Sequence, residues 1–201
     1  MTCIVDYGAG NLRSVQNAFE RIGANCCVTG DPVAVRQSER IILPGVGHFG
    51  QMMSALDRLG LRDVLSERLR AGVPFLGVCL GLQALFDESE EAPGVRGLGF
   101  FRGKINRFGE GLRIPHMGWN EVCVDSRSRL LPQSERHYFY FAHSFFALPN
   151  DHTTGRCEYG MKFSAVVEAE NVFAAQFHPE KSGDAGLEFL RCFLRLTESA
   201  C

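Results

Sequence analysis

A cysteine set between two glycines, Gly77-Val78-Cys79-Leu80-Gly81, is the stretch of this chain best suited to covalent chemistry. Glycine two places either side of a nucleophile is the pattern of a sharp strand-to-helix elbow, here with Cys where Ser is common. The nucleophile on such a turn has a strained backbone, and bulkier neighbours would collide. The turn also sets the sulfur at the start of a helix, where free N–H groups favour thiolate over thiol. Read by itself, the pattern also fits a buried cysteine whose glycines merely turn the chain.

A thiol nucleophile needs a base and a group to orient that base. Of the six histidines, His178 has the most rigid setting. It follows the apolar run Phe173-Ala174-Ala175-Gln176-Phe177 and precedes Pro179-Glu180. The Glu180 carboxylate, two residues on, can reach one ring nitrogen and fix the tautomer. A buried histidine beside a surface glutamate reads equally well from these residues alone.

These groups need a scaffold that brings positions 79 and 178 together. Strands are expected at 3–6, 26–28, 40–43 and just before the elbow, with Asp31-Pro32 as a turn. Helices are expected at 12–22, 52–59 and 61–71, from apolar recurrence at helical spacing. Beyond Leu98, short segments punctuated by Gly and Pro predict antiparallel strands at 99–105, 119–124, 138–141, 156–159, 165–168 and 172–176. A last helix is expected at 185–196. The order implies an α/β fold: an open, mostly parallel sheet flanked by helices, with an antiparallel strand-rich flank. Without a linker or repeat, residues 1–201 read as one domain. The acidic run Asp87-Glu88-Ser89-Glu90-Glu91 reads as a solvated face or turn.

Two glycine-rich loops sit at predicted strand ends. Pro44-Gly45-Val46-Gly47-His48 lies where an open parallel sheet places ligands. An ordinary Pro-Gly turn is the alternative. Gly8-Ala9-Gly10 begins a dinucleotide fingerprint, but Arg13 stands in the third glycine's place.

Composition narrows the classes. Hydrophobic residues are 45% and charged residues 22% of 201, with net charge −2, which gives no electrostatic case for nucleic acid or an anionic membrane. No apolar run nears the ~20 residues of a membrane span, and the first residues lack a signal-peptide pattern. Eight cysteines, at 3, 26, 27, 79, 123, 157, 192 and 201, include no C-x-x-C pair or zinc-site spacing. They read as reduced thiols of a cytoplasmic protein, and neither metal nor cofactor is expected.

Taken together, Gly77–Gln83 and Phe177-His178-Pro179-Glu180 resemble the class I triad glutamine amidotransferases, whose fold is flavodoxin-like. Further blocks resemble, within that class, the family of glutaminase subunits of imidazole glycerol phosphate synthase. They are Asp6–Val15, Leu43–Gly50, Pro115-His116-Met117-Gly118-Trp119-Asn120 and Tyr140–Ser144. The resemblance implies that Cys79 attacks the side-chain amide of glutamine, with His178 as base and then acid and Glu180 orienting it. It implies an oxyanion hole from the Leu80 N–H and the Gly45-Val46-Gly47 loop, and a glutamine pocket including Gln83, Glu91, Ser144 and Phe145. Leu82 stands where Met is usual, a change of little volume. Phe145 stands where Tyr is common, which removes a hydroxyl.

The family's glutaminase releases glutamate and passes ammonia to a (β/α)₈-barrel cyclase subunit in a heterodimer. That subunit makes imidazole glycerol phosphate and AICAR in histidine biosynthesis. The resemblance places Asn11, Arg13, Met117, Trp119, Asn120, Tyr138 and Lys181 at the partner face or ammonia path. The glycines of Gly45-Val46-Gly47 allow a peptide to rotate, which makes this loop a candidate switch that turns a donor into place when the partner docks. Rival readings are another class I glutaminase subunit, a γ-glutamyl hydrolase, or a non-catalytic regulatory module of the same fold.

Overall fold

Runs such as Ile41-Ile42-Leu43 and Val172-Phe173-Ala174-Ala175 carry apolar side chains on both faces of a strand, so each face must be covered. The structure, a computed structural model, describes residues 1–132 and 136–198, with side chains to Leu196. Cys201 lies outside the described residues.

In chain order the elements are β1 (Thr2–Val5), α1 (Leu12–Arg21), β2 (Cys26–Thr29), α2 (Pro32–Arg36), β3 (Arg40–Gly45), α3 (Phe49–Arg58) and α4 (Leu61–Arg70). The elbow follows as β4 (Phe75–Cys79) and α5 (Leu80–Ala84). Then come β5 (Phe86–Ser89), β6 (Phe101–Arg107), β7 (His116–Val124), β8 (His137–His143) and β9 (Phe145–Ala147). The chain continues with β10 (Thr153–Glu158), β11 (Lys162–Ala169), β12 (Val172–Ala175), a 3-10 turn (Pro179–Lys181) and α6 (Gly183–Glu198).

Nine strands form one sheet in the order β2-β1-β3-β4-β12-β11-β10-β7-β8. The first five are parallel and the remainder antiparallel. The parallel half has the flavodoxin-like order, with β12 taking the last place. Side chains alternate as a pleated strand requires. Val172 and Ala174 join a core with α3 and α4, whereas Phe173 and Ala175 join a second core with α1 and α6. Among the described residues no helix is long and apolar enough to cross a membrane.

The expected α/β architecture is present, and four local readings change. Asp31-Pro32 starts a short helix: Asp31 Oδ1 accepts from the Val33 N–H at 3.1 Å, and Pro32 suits a first helical position. The acidic run is not a solvated turn, because Phe86–Ser89 pairs with β6 in a three-stranded sheet, β5-β6-β9. Its acids accept backbone donors: Asp87 from Gly103, Glu90 from Arg107 and Glu91 from Phe49. The third change is β9, which sequence patterning did not reveal. The chain bends at Ser144, leaving β8 in the large sheet and β9 in the small one. Finally, several of the strands are longer than patterning indicates; β7 starts at His116 and β10 at Thr153.

Candidate active site

The parallel strands all present their C-terminal ends to one edge, and the site lies there, across β3, β4 and β12. Register pairs Gly45 of β3 with Cys79 of β4. It also pairs Ala175 of β12 with Val78, which brings the residues after β12 beside the elbow.

Cys79 has φ 54° and ψ −106°, a left-handed backbone that an L-residue adopts only under constraint. The constraint is packing of the first turn of α5 onto the strand ends. A β-carbon on Gly81 would lie 1.8 Å from the Leu43 carbonyl oxygen, and one on Gly77 would lie 2.8 Å from the Gly81 carbonyl oxygen. The two glycines are therefore required by close approach, as the motif implies.

A cavity of about 250 Å³ opens over the elbow. Cys79, Leu80 and Gln83 form its floor, with Val46 and Gly47 on one side and His178 and Lys181 on another. Ser144 and Phe145, at the seam between the two sheets, line it too, as does Glu91. Glu91 is anchored by accepting the Phe49 N–H at 2.7 Å, at the start of α3, where the helix dipole favours an anion. Gly45 lies just behind the lining, opposite Cys79 in register.

His178 is mounted rigidly. Its N–H donates to the Tyr140 carbonyl at 2.9 Å, and its own carbonyl accepts from Ser182 Oγ at 2.7 Å. Ser182 Oγ in turn accepts the Tyr140 N–H at 2.9 Å. The imidazole faces the Cys79 sulfur, and Nδ1 lies 2.8 Å from Glu180 Oε1, both side chains being 3% exposed. Burial opposes the imidazolium. The Cys79 sulfur and the Glu180 carboxylate outweigh it, pushing His178 up to about 10.

Two consequences follow for pH. An unfolded histidine titrates near 6.5, so the His178 contribution to stability is complete below that pH and fades as pH rises through about 10. Glu180→Gln removes one anion that holds the proton, so His178 should lose it at lower pH. A histidine-resolved NMR titration of the two proteins reads this, and an unmoved titration contradicts the role given to Glu180.

Other residues that sequence reasoning put at the partner face separate into groups. Met117 and Lys181 reach the cavity rim. Met117, Trp119 and Tyr138 are exposed, with Trp119 opposite Tyr140 and Glu121 opposite Tyr138 in the β7–β8 ladder. Asn120 points to the other face, where its Nδ2 donates to the Glu158 carbonyl at 3.0 Å and to His116 Nε2 at 3.3 Å. Arg13 is exposed, and Asn11 caps α1 through a bond from the Ser14 N–H at 3.4 Å.

Sequence reasoning singled out neither the pair of His116 and His143, of which His143 lines the cavity, nor Gln176. His143 Nδ1 donates to the Phe145 carbonyl at 2.9 Å, so its Nε2 must accept from His116 Nδ1 at 3.0 Å. Burial pushes His116 down to about 4 and His143 to about 3, so both are neutral at pH 7. The same Phe145 carbonyl accepts from Gln83 Nε2 at 2.9 Å. Phe145 therefore acts in this network through its backbone, and the missing hydroxyl costs that network nothing. A polar residue ending an apolar strand was the available signal for Gln176.

The arrangement can support acyl transfer: a thiol on a strained backbone, an imidazole held by a carboxylate, and the Leu80 N–H at the cavity floor. Residues 3–196 match the family described as "Glutamine amidotransferase class-I". The "Imidazole glycerol phosphate synthase subunit HisH" of Methanothermobacter thermautotrophicus is 49% identical over 197 residues, covering 98% of each chain. The "Imidazole glycerol phosphate synthase hisHF, chloroplastic" of Arabidopsis thaliana is 43% identical, matching 95% of this chain and 33% of that longer one. A solved structure, "Crystal structure of glutamine amidotransferase", superposes with TM-score 0.78 at 20% identity, covering 98% of each chain.

Proposed function

The chain belongs to the class I glutamine amidotransferase family, and from that premise we propose that it is the glutaminase subunit of an imidazole glycerol phosphate synthase. The observation that carries this reading is a single cavity lined by both Cys79 and His178, with Glu180 behind the imidazole. Near-full-length likeness to a relative bearing that subunit's name supports the assignment within the family.

In this reading the Cys79 proton is already held by His178, whose titration at about 10 keeps the imidazolium at neutral pH, and the sulfur attacks the side-chain carbonyl carbon of glutamine. The oxygen of the tetrahedral intermediate takes the Leu80 N–H and an N–H from the Gly45-Val46-Gly47 loop. Each such donor contributes on the order of 2.7–4 kcal/mol to the transition state. His178 returns the proton to departing ammonia, leaving a thioester. A water molecule, deprotonated by the same imidazole, attacks the thioester and releases glutamate. Glu91, Ser144 and the Phe145 backbone are suited to the polar end of the substrate, since all three line the cavity.

Ammonia released into water at neutral pH is mostly ammonium, which is no nucleophile, so it must pass directly to an acceptor site. The partner is the cyclase subunit, as the hisHF name of a relative with a longer chain suggests. We assign its barrel to the exposed Met117, Trp119 and Tyr138, which adjoin the cavity rim at Met117 and Lys181. The loop at Val46 is the proposed switch. Gly47, at φ 97° and with nothing within 4 Å of where a β-carbon would stand, leaves its peptide room to turn. Tyr7 is buried behind it, with its hydroxyl pushed up to about 12 chiefly by burial. Residues 1–201 act as one domain, since both core clusters share one sheet. A cytoplasmic site of action fits the seven unpaired cysteines among the described residues.

Ammonia release from glutamine by the purified chain, alone and with a cyclase subunit and its ligand, tests the reading. Release should rise at least tenfold on adding the partner. Equal rates would remove the switch, and no release under either condition would remove the glutaminase.

A further inference from the structure

Gln176 is fully buried, polar and the first residue after β12, and the reaction just described gives it no task. Its surroundings fix which way its amide points. The Phe145 carbonyl can only accept, so the Gln83 group 2.9 Å from it must be the Nε2 donor. The other hydrogen of Gln83 Nε2 then points to Gln176 at 3.2 Å, which must present Oε1. That leaves Gln176 Nε2, with its hydrogens, 3.6 Å from the Cys79 sulfur. His143 Nδ1 holds the same Phe145 carbonyl from the other side. The amide thus reaches the sulfur already oriented, from within the sheet and apart from the imidazole.

We propose that Gln176 is a catalytic residue, whose side-chain N–H donates to the Cys79 sulfur and stabilises it as the attacking anion. This rests on Cys79 being the nucleophile. A donor aimed at an anion is worth about twice one aimed at a neutral group, so it favours thiolate over thiol. No proton crosses this bond: the thiol proton goes to His178, which the raised titration of that imidazole supports. Gln176 also resists drift of the sulfur, because Oε1 is tied through Gln83 to the pocket wall. Gln83 accordingly has a double place, lining the cavity and steering the amide behind the sulfur.

Iodoacetamide labelling of the Cys79 peptide, followed by mass spectrometry across pH, tests this without glutamine or a partner. Gln176→Met keeps length and bulk but has no donor. The pH of half-maximal labelling should rise by about one unit, with labelling at pH 7 about tenfold slower, since a unit of titration is tenfold in population. A purely structural role would lower the melting temperature and leave that midpoint in place. An unmoved midpoint in folded Gln176→Met overturns the inference. Should that variant not fold, Gln176→Leu, which likewise has no donor and no charge, is read the same way. Its midpoint should rise by a similar amount, and an unmoved midpoint there overturns the inference equally. If Cys79 of the parental protein does not label at all, the nucleophile assignment falls, and this inference with it. Normal parental labelling with an unmoved variant sinks this inference alone.

Discussion

Cys79→Ala should lower glutamine hydrolysis on the order of 10⁶-fold, the loss seen when a hydrolase loses the nucleophile of a cooperating triad. The reason is positional. Ser144 also lines the cavity, but only residue 79 sits on the elbow with its side chain against His178. Alanine keeps the φ 54° strain and the Leu80 N–H, so the fold and the oxyanion floor survive. The melting temperature should stay within a few degrees, because the change removes only the sulfur atom, at the end of the core that borders the cavity. Glutamate release by a coupled assay, with thermal melting alongside, checks both halves. Activity within a hundredfold of the parental protein would move the nucleophile elsewhere.

Gly81→Ala should damage fold and site together. The added β-carbon would sit 1.8 Å from the Leu43 carbonyl, and that neighbour is backbone in the middle of the sheet. Either α5 lifts from β3 or the β3–β4 pairing shifts, a core clash costing on the order of 4 kcal/mol. For a chain of this size that lowers the melting temperature by about 8–16 °C. The same shift moves Cys79 and the Leu80 N–H, and a misplacement of about 1 Å costs about 10²-fold in rate. Gly109→Ala is the contrast: nothing lies within 4 Å of its added carbon, and its stability and activity should not change. Equal behaviour of the two variants would contradict the packing account of the elbow.

What could be read from the residues alone divides along a physical line. The elbow and the His178-Pro179-Glu180 turn are local, because spacing within seven residues sets their geometry. Both were legible. The parallel strands were legible too, as apolar runs between helical patterns. Contacts that depend on register across long stretches were not. His116 meets His143 only because β7 pairs with β8, and Gln176 meets Cys79 only because β12 lies beside β4. Nothing in a linear pattern states those pairings. The small sheet escaped for a different reason. β5 is acidic and β9 has three residues, so neither carries strand-like alternation. Asn120 shows the cost of reading a block as a unit: its neighbour Trp119 faces solvent, while Asn120 turns inward to His116.

The place of β12 has a bearing on how the protein is made. It wedges between β4 and β11, both of which leave the ribosome before it. A nascent chain halted ahead of residue 172 therefore has Cys79 but lacks both His178 and Glu180. Late insertion of a central strand is slow, because distant segments must find each other before any contact rewards them. Under the proposed chemistry, glutamine hydrolysis therefore waits on the tail threading into the middle of the sheet.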